Sequence, residues 1–354
     1  MTDLLGLAPE AARAALGEWL TARGEPAYRL RQILPRLWQR PVGSWEEATD
    51  LAVPLRMALE EAFPLRRLTL QAHQVSSDAT EKFLWTLDDG EAIESVLIPE
   101  GKRRTLCISS QAGCALGCVF CATGRMGFRR NLSAAEIAGQ VRELVLAAGT
   151  PKPTNVVFMG MGEPLLNWEA VDTTLTTLNH PEGFGIGARH ITVSTVGILP
   201  NLAKLARRPE QFRLALSLHA PTATTRRELM PIEKKYKLPD VMAALKQFRR
   251  RVTLEYVLIG GKNDSLEAAD QLAKLAQPLG ALVNLLPLHP GGAPELVPTG
   301  RAQMIAFERR LKTRGVEAVL RRSRGLDISA ACGQLRVEVL ARRKVGAQEH
   351  AGVD

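Results

Sequence analysis

Strand-like and helix-like segments alternate from residue 101 to residue 325, and no other feature restricts the fold as strongly. Strand patterns fall at 105–109, 155–159, 190–194, 213–218, 253–258 and 282–286. Helical patterns follow at 133–148, 168–178, 199–206, 238–250, 266–276 and 302–314, with one further strand pattern at 316–321. A strand that passes through a helix and returns beside itself builds a parallel sheet with helical crossovers. Six such units over roughly 220 residues fall short of a closed eight-fold barrel of about 250. The expected fold is therefore α/β, a partial (β/α)6 barrel open on one side.

The remaining segments flank this body. Residues 1–65 read as a small helical accessory domain, with periodic stretches at 8–23, 28–38 and 46–62 interrupted by Pro35, Pro41 and Pro54. Residues 66–100 read as a short β-hairpin-like linker: strand patterns at 68–75, 82–87 and 92–98, a turn at Asp88-Asp89-Gly90, and a boundary at Pro99-Glu100-Gly101. The barrel spans 101–325, and 326–354 form a C-terminal extension. With 354 residues, 45% of them hydrophobic, the chain can bury a large core. Five clustered cysteines argue against a secreted disulfide framework. No signal peptide and no apolar run of about 18 residues is visible, so a cytoplasmic protein with no membrane contact is expected. The net charge is +9, with basic groups such as Lys102-Arg103-Arg104 and Arg249-Arg250-Arg251. Such an excess fits a polyanionic partner, although a generally Arg-rich surface would give the same count.

Motifs sit where the predicted strands end, the edge at which parallel α/β folds gather their chemistry. After the first strand comes Cys114-Ala-Leu-Gly-Cys118-Val-Phe-Cys121. Three thiolates can hold three irons of a [4Fe–4S] cube that normally takes four cysteines. The fourth iron is then open to the amine and carboxylate of S-adenosylmethionine (SAM), and an electron passed to its sulfonium cleaves it homolytically. Phe120 before the third cysteine is the usual radical-SAM form. A three-cysteine zinc knuckle is the alternative, but no His lies nearby in sequence to complete it. Met159-Gly160-Met161-Gly162-Glu163-Pro164 ends the second strand. Gly162 admits close backbone approach and Glu163 offers an acceptor to the SAM amine; an ordinary Gly-rich turn would look the same. Ser194, after the third strand, and Ser217, Leu218 and His219, after the fourth, are candidates for the SAM carboxylate, ribose and adenosine. Cys107 and Cys332 lie outside the triad, and a free cysteine is most often a small buried hydrophobe. Glu94, in Ile93-Glu94-Ser95, reads alone as an exposed strand residue.

Longer stretches carry a resemblance. Ser109-Ser110-Gln111-Ala112-Gly113-Cys114 through Cys121, Gly127-Phe128-Arg129-Arg130-Asn131-Leu132, the segment from Asn155 to Asn167, Ser217-Leu218-His219-Ala220, Pro231-Ile232-Glu233-Lys234-Lys235-Tyr236 and Ala330-Ala331-Cys332-Gly333-Gln334-Leu335 closely resemble the RlmN/Cfr family of radical-SAM RNA methyltransferases. The resemblance runs from about residue 4 to residue 343, including the helical accessory domain, for which it implies RNA binding. It implies one [4Fe–4S] cluster per chain on Cys114, Cys118 and Cys121, and SAM as both methyl and radical source. It implies that Cys332 carries a methyl group as S-methylcysteine. Cys107 would resolve the enzyme–RNA adduct through a transient disulfide with Cys332, and Glu94 would accept the ring proton. The product implied is 2-methyladenosine at adenine 2503 of 23S rRNA, and at adenine 37 of some tRNAs. A flavodoxin-like or ferredoxin-like electron donor and a monomeric state are expected. His289 stands where the family usually carries an Asn that contacts SAM; an imidazole can donate from one ring nitrogen, so it remains a site residue. Alternatives left open are a sibling that methylates C8 of the same adenine, a radical-SAM activase or synthase, and a zinc-stabilised RNA-binding protein.

Overall fold

The computed structural model describes residues 2–147, 152–289 and 293–335. The N-terminal region forms helices α1 (Pro9–Ala22), α2 (Arg29–Ile33) and α3 (Val53–Ala62). Pro sits in the first turn of α1 and α3, where no amide donor is lost. Gly24, with φ +70, ends the first helix. Pro35 falls in a 3-10 turn that closes α2. Trp38 and Trp45 are fully buried here, and Trp45 Nε1 donates to the Phe63 carbonyl at 2.7 Å.

Strands β1 (Thr69–Val75), β2 (Glu81–Thr86) and β3 (Ala92–Glu100) follow. Next come β4 (Arg103–Cys107), β5 (Gln111–Gly113), α4 (Ala122–Met126), β6 (Phe128–Asn131) and α5 (Ala134–Leu146). The parallel units are β7 (Asn155–Phe158), α6 (Trp168–Asn179), β8 (Ile191–Thr195), α7 (Leu199–Arg207) and β9 (Arg213–Ser217). Helices α8 (Ala223–Leu229) and α9 (Leu238–Leu245), β10 (Thr253–Leu258), α10 (Leu266–Ala276), β11 (Leu282–Pro287), α11 (Arg301–Thr313) and β12 (Ala318–Leu320) complete the chain as described.

One ten-stranded sheet runs β1-β2-β3-β4-β7-β8-β9-β10-β11-β12. From β4 to β12 every pairing is parallel, which gives the six expected units and the extra strand. The sheet is an open, partial barrel with β1 and β12 at its ends. The strands of residues 66–100 join the same sheet. Strand β3 continues through Pro99 to Glu100 and pairs antiparallel with β4, Val96 facing Cys107. The Pro99-Glu100-Gly101 boundary is thus the approach to a hairpin turn. At the outer edge, Leu70 faces Trp85 and Ala72 faces Leu84, so Gln71 is an extra residue and β1 is bulged.

The capping box expected at Ser133 is present: Glu136 N donates to Ser133 Oγ at 3.2 Å, and Ser133 N to Glu136 Oε2 at 2.7 Å. The helix expected over 238–250 ends at Leu245 instead. Lys246, Gln247 and Phe248 donate three residues back, to Ala243, Ala244 and Leu245, and this tighter turn delivers the chain to β10. Helix α8 was not visible in the sequence pattern. Seven residues are too few for a clear period, and its signal is Thr222, whose side chain accepts from Thr225 N. The C-terminal extension lies outside the described residues beyond Leu335. No helix among the described residues is long and apolar enough to cross a membrane.

Candidate active site

A cavity opens at the C-terminal ends of the parallel strands. Cys114, Cys118, Cys121 and Cys332 line it, with Gly162, Glu163, Ser194, Ser217, His219 and His289. Ten of the thirteen residues singled out from the sequence therefore meet at one mouth; Leu218, Cys107 and Glu94 do not line it.

The cysteine loop runs from β5 to β6. This two-stranded sheet closes it at the neck, where Cys114 N donates to the Gly127 carbonyl at 2.9 Å. Burial pushes the Cys114 thiol up to about 11, with Cys121 adding to the shift. Cys118 is raised further, by burial and then by Cys121 and Cys114. Cys114 and Cys118, buried and beside the half-buried Cys121, need cationic charge to become thiolates, as an iron–sulfur cube provides. Among the described residues no three Cys, His, Asp or Glu side chains are arranged to hold a single metal ion. A cube asks for a different arrangement, one thiolate on each of three irons, and the donor set fits it.

Opposite the triad, Glu163 is buried and its carboxyl is pushed up to about 7 by that burial. Oε1 accepts from Leu165 N and Oε2 from Val196 N, both at 2.9 Å, so it ties the end of β7 to the end of β8. The Thr195 side chain also hydrogen-bonds this carboxyl, and Glu163 lines the cavity beside these partners. Glu163 N in turn donates to Gln111 Oε1 at 2.8 Å. Gly162 has φ +96, and a Cβ there would lie 2.5 Å from Gln111 Cβ, so glycine is required.

His219 adopts φ +54, a conformation uncommon outside glycine. Its Nδ1 accepts from Val257 N at 3.1 Å, which places the proton of the neutral ring on Nε2. Burial, and then Arg226, lower its pKa to about 3, so the ring stays neutral. Phe120 packs edge-on against it, centroids 4.8 Å apart. Ser194 and Ser217 face each other, Oγ to Oγ 3.4 Å. Leu218 is placed differently from its two neighbours. Alternation along the strand end turns its side chain into the core, fully buried, while Ser217 and His219 reach the cavity. His289 is half-buried, its Nε2 2.6 Å from Ser323 Oγ, and burial lowers its pKa.

Cys107 is buried at the end of β4. Its thiol is raised by burial and then by Cys332, so the two sulfurs lie within electrostatic reach of each other. Cys332 is exposed to the cavity yet walled by protein on its other sides, and this enclosure raises its pKa too. Glu94 is not the surface residue its pattern suggested. It is 3% exposed on the central strand β3, with Lys82 Nζ 3.4 Å from its Oε1. Its backbone carbonyl accepts from Ser109 Oγ at 2.6 Å, and the same hydroxyl accepts from Met161 N at 2.9 Å. Glu94 is thereby fixed to the glycine-rich loop.

Sequence reasoning missed Glu255. It lies buried on β10, lines the cavity, and accepts from Asn284 Nδ2 at 3.0 Å. Burial pushes its carboxyl up to about 7, and its charge opposes ionisation of Cys332. The available signal was one carboxylate inside an otherwise apolar parallel strand, a place usually filled by continuous hydrophobic residues.

An open parallel barrel with three thiols at its mouth defines a radical-SAM enzyme, and residues 108–276 match the family model described as the Radical SAM superfamily. The chain is 58% identical over 354 residues to a probable dual-specificity RNA methyltransferase RlmN of Gemmatimonas aurantiaca, covering 100% of this chain and 98% of that one. It is 43% identical to the protein of the same name in Bacillus cytotoxicus, over 91% and 90% of the two chains. A crystal structure of a radical SAM methyltransferase from Sphaerobacter thermophilus superposes with a TM-score of 0.88 at 43% identity, covering 95% of this chain and 99% of that one. The chain belongs to the RlmN family of dual-specificity RNA methyltransferases.

Proposed function

We propose that the protein methylates C2 of adenine 2503 in 23S rRNA and of adenine 37 in tRNAs, using Cys332 as the methyl carrier. The observation that carries this reading is the placement of two cysteines outside the triad, Cys332 lining the cavity and Cys107 buried at the end of β4, its thiol raised in part by Cys332. Cys114, Cys118 and Cys121 would hold the cluster, and Gly162, Glu163, Ser194, Ser217, His219 and His289 would surround SAM. When bound, the cluster supplies the electron that cleaves SAM. The chain's own residues handle the methyl group. The Cys332 thiol loses its proton, and its sulfur takes the methyl of a first SAM as the sulfonium–methyl bond breaks. One hydrogen atom of that methyl group would pass to the 5′-deoxyadenosyl fragment, and the carbon left behind would join the adenine. Glu94, next to Lys82, accepts the ring proton, and the one electron that entered with SAM cleavage leaves again. Cys107 then attacks the Cys332 sulfur; the sulfur–carbon bond breaks as the carbon takes up the Cys107 proton, which frees the methylated base and leaves a disulfide for an external two-electron donor to reduce. An adenine ring carbon is too weak a nucleophile for direct attack on SAM, which is why a carrier is needed. The net charge of +9 supports a polyanionic substrate.

The test is incubation of the reconstituted protein with SAM, reductant and RNA, followed by nucleoside mass spectrometry against 2- and 8-methyladenosine standards. 2-Methyladenosine is expected, and 8-methyladenosine would overturn the regiochemistry. On a denaturing gel Cys107→Ala should accumulate a ribonuclease-sensitive protein–RNA adduct, and Cys332→Ala should form none. Normal turnover by either variant would remove the carrier mechanism.

A further inference from the structure

The segment that carries Cys332 is pinned at two places. On its far side, the Gly333 carbonyl accepts from Ala122 N and the Leu335 carbonyl from Thr123 Oγ1, both at 2.8 Å. Ala122 directly follows Cys121, so this pin belongs to the cluster loop. On its near side the segment is held by the turn between β1 and β2, some 250 residues away in sequence. Asp327 Oδ1 accepts from Ser76 Oγ at 2.5 Å, and Oδ2 from Ser77 N at 3.0 Å. Asp78 answers from the turn: its Oδ2 accepts from Gly325 N at 3.1 Å, its Oδ1 accepts from Thr80 N at 3.0 Å, and Arg324 Nη1 stands 3.9 Å from it.

The seat between them is close-fitting. Gly325 has φ +59, and a Cβ there would lie 2.7 Å from Ala330 Cβ and 3.0 Å from Thr80 Cγ2. Thr80 is 1% exposed although it sits at a hairpin turn. A hairpin turn needs none of these partners for its own geometry. The reciprocal carboxylates are explained by what they hold.

We infer that the β1–β2 turn is the anchor that sets the reach of Cys332, with Asp78 and Asp327 as positioning residues for its thiol. The inference rests on the reading of Cys332 as methyl carrier. In that reading the thiol must meet two partners, SAM in the cavity and Cys107 at the end of β4. Between the pins at Asp327 and Gly333 the chain is short, so the sulfur can shift between those partners but cannot leave the mouth. Without the near pin the contacts to α4 and the packing of Ala330 and Leu335 remain, but no hydrogen bond holds the near side, and Cys332 would spend most of its time away from Cys107.

The experiment uses the full-length, anaerobically reconstituted protein and the variants Asp327→Asn, Asp327→Ala and Asp78→Ala/Asp327→Ala. Asp327 is exposed, so its replacement leaves the core intact, and the Asn variant keeps one acceptor oxygen. Three quantities are read: the rate of Cys332 alkylation by iodoacetamide, resolved by peptide mass; the rate of Cys107–Cys332 disulfide formation under a mild oxidant; and iron content with Tm. The double variant should alkylate Cys332 about tenfold faster and form the disulfide about tenfold more slowly, the scale set by losing charge-assisted hydrogen bonds. Asp327→Asn should fall between, with iron and Tm unchanged throughout. Unchanged alkylation and disulfide rates in the double variant overturn the inference, as does a parallel fall in iron and Tm, which would mark a merely structural contact. Methylation of wild-type Cys332 by SAM is scored separately. Its absence would overturn the carrier reading, while the alkylation and disulfide rates would still decide the anchor.

Discussion

Glu255 shows how much one buried carboxylate controls. Its pKa is raised to about 7 in the folded protein from an ordinary 4.5. Between those values the native state binds the extra proton. The stabilisation is fully present below the unfolded value and is lost as pH rises through about 7. Glu255→Gln should therefore flatten the fall in Tm of the iron-free protein between about pH 5 and pH 8, as followed by calorimetry. A variant that kept the wild-type slope would show that Glu255 does not titrate there. Gly162→Ala is the harsher change. It forces a Cβ toward Gln111 at a backbone angle that suits only glycine, at a cost of about 1–3 kcal/mol from overpacking alone. A lowered Tm together with lost SAM retention in equilibrium dialysis is the expected result. These two positions also differ in how legible they were. Gly162 belonged to a motif in which glycine has a physical reason, close backbone approach. Glu255 lay in a strand whose neighbours are apolar, and only the sheet shows that it faces the cavity.

At the level of elements, the parallel strands could be read because each is a short apolar run bounded by turn residues. Six runs in order left few topologies. Their pairing with β1, β2 and β3 could not be read, because a β3–β4 hairpin through Pro99 looks in sequence like a domain boundary. Nor could the role of α5 as the bridge to the helical region. Arg142, 1% exposed on α5, donates through Nε to the Leu37 carbonyl at 3.2 Å and through Nη2 to the Val42 carbonyl. Glu143 beside it takes Arg67 Nη2 at 2.6 Å. Burial lowers the Arg142 pKa to about 10, which still leaves it charged at neutral pH. Arg142→Met should cost about 3 kcal/mol, because two carbonyls and a buried carboxylate lose a cation that no water can replace. Limited proteolysis should then cut first within residues 34–45. An unchanged cleavage pattern would mean that apolar contacts alone hold the two regions together.

Over the whole molecule one hydrophobic core runs from Leu4 and Trp38 through the barrel to Leu311. The helical region is therefore continuous with the barrel, and the proposal that it binds RNA is better tested by charge reversal than by deletion, which would uncover that core. The two ends of the ten-stranded sheet face a different hazard. Among the described residues no further strand pairs with either end, and an uncovered edge offers backbone amides to a second copy of the chain. The β12 end offers three residues. The β1 end is seven residues long and exposes Leu70 and Val75, a profile suited to self-templating growth. Its bulge at Gln71 breaks the straight ladder that an incoming strand would have to match. Deleting Gln71 should leave SAM retention intact while light scattering at high protein concentration rises with time, and a deletion variant that stays clear would assign the bulge no such part. One misfit residue, far from any chemistry, would then act as a gatekeeper against fibrous assembly.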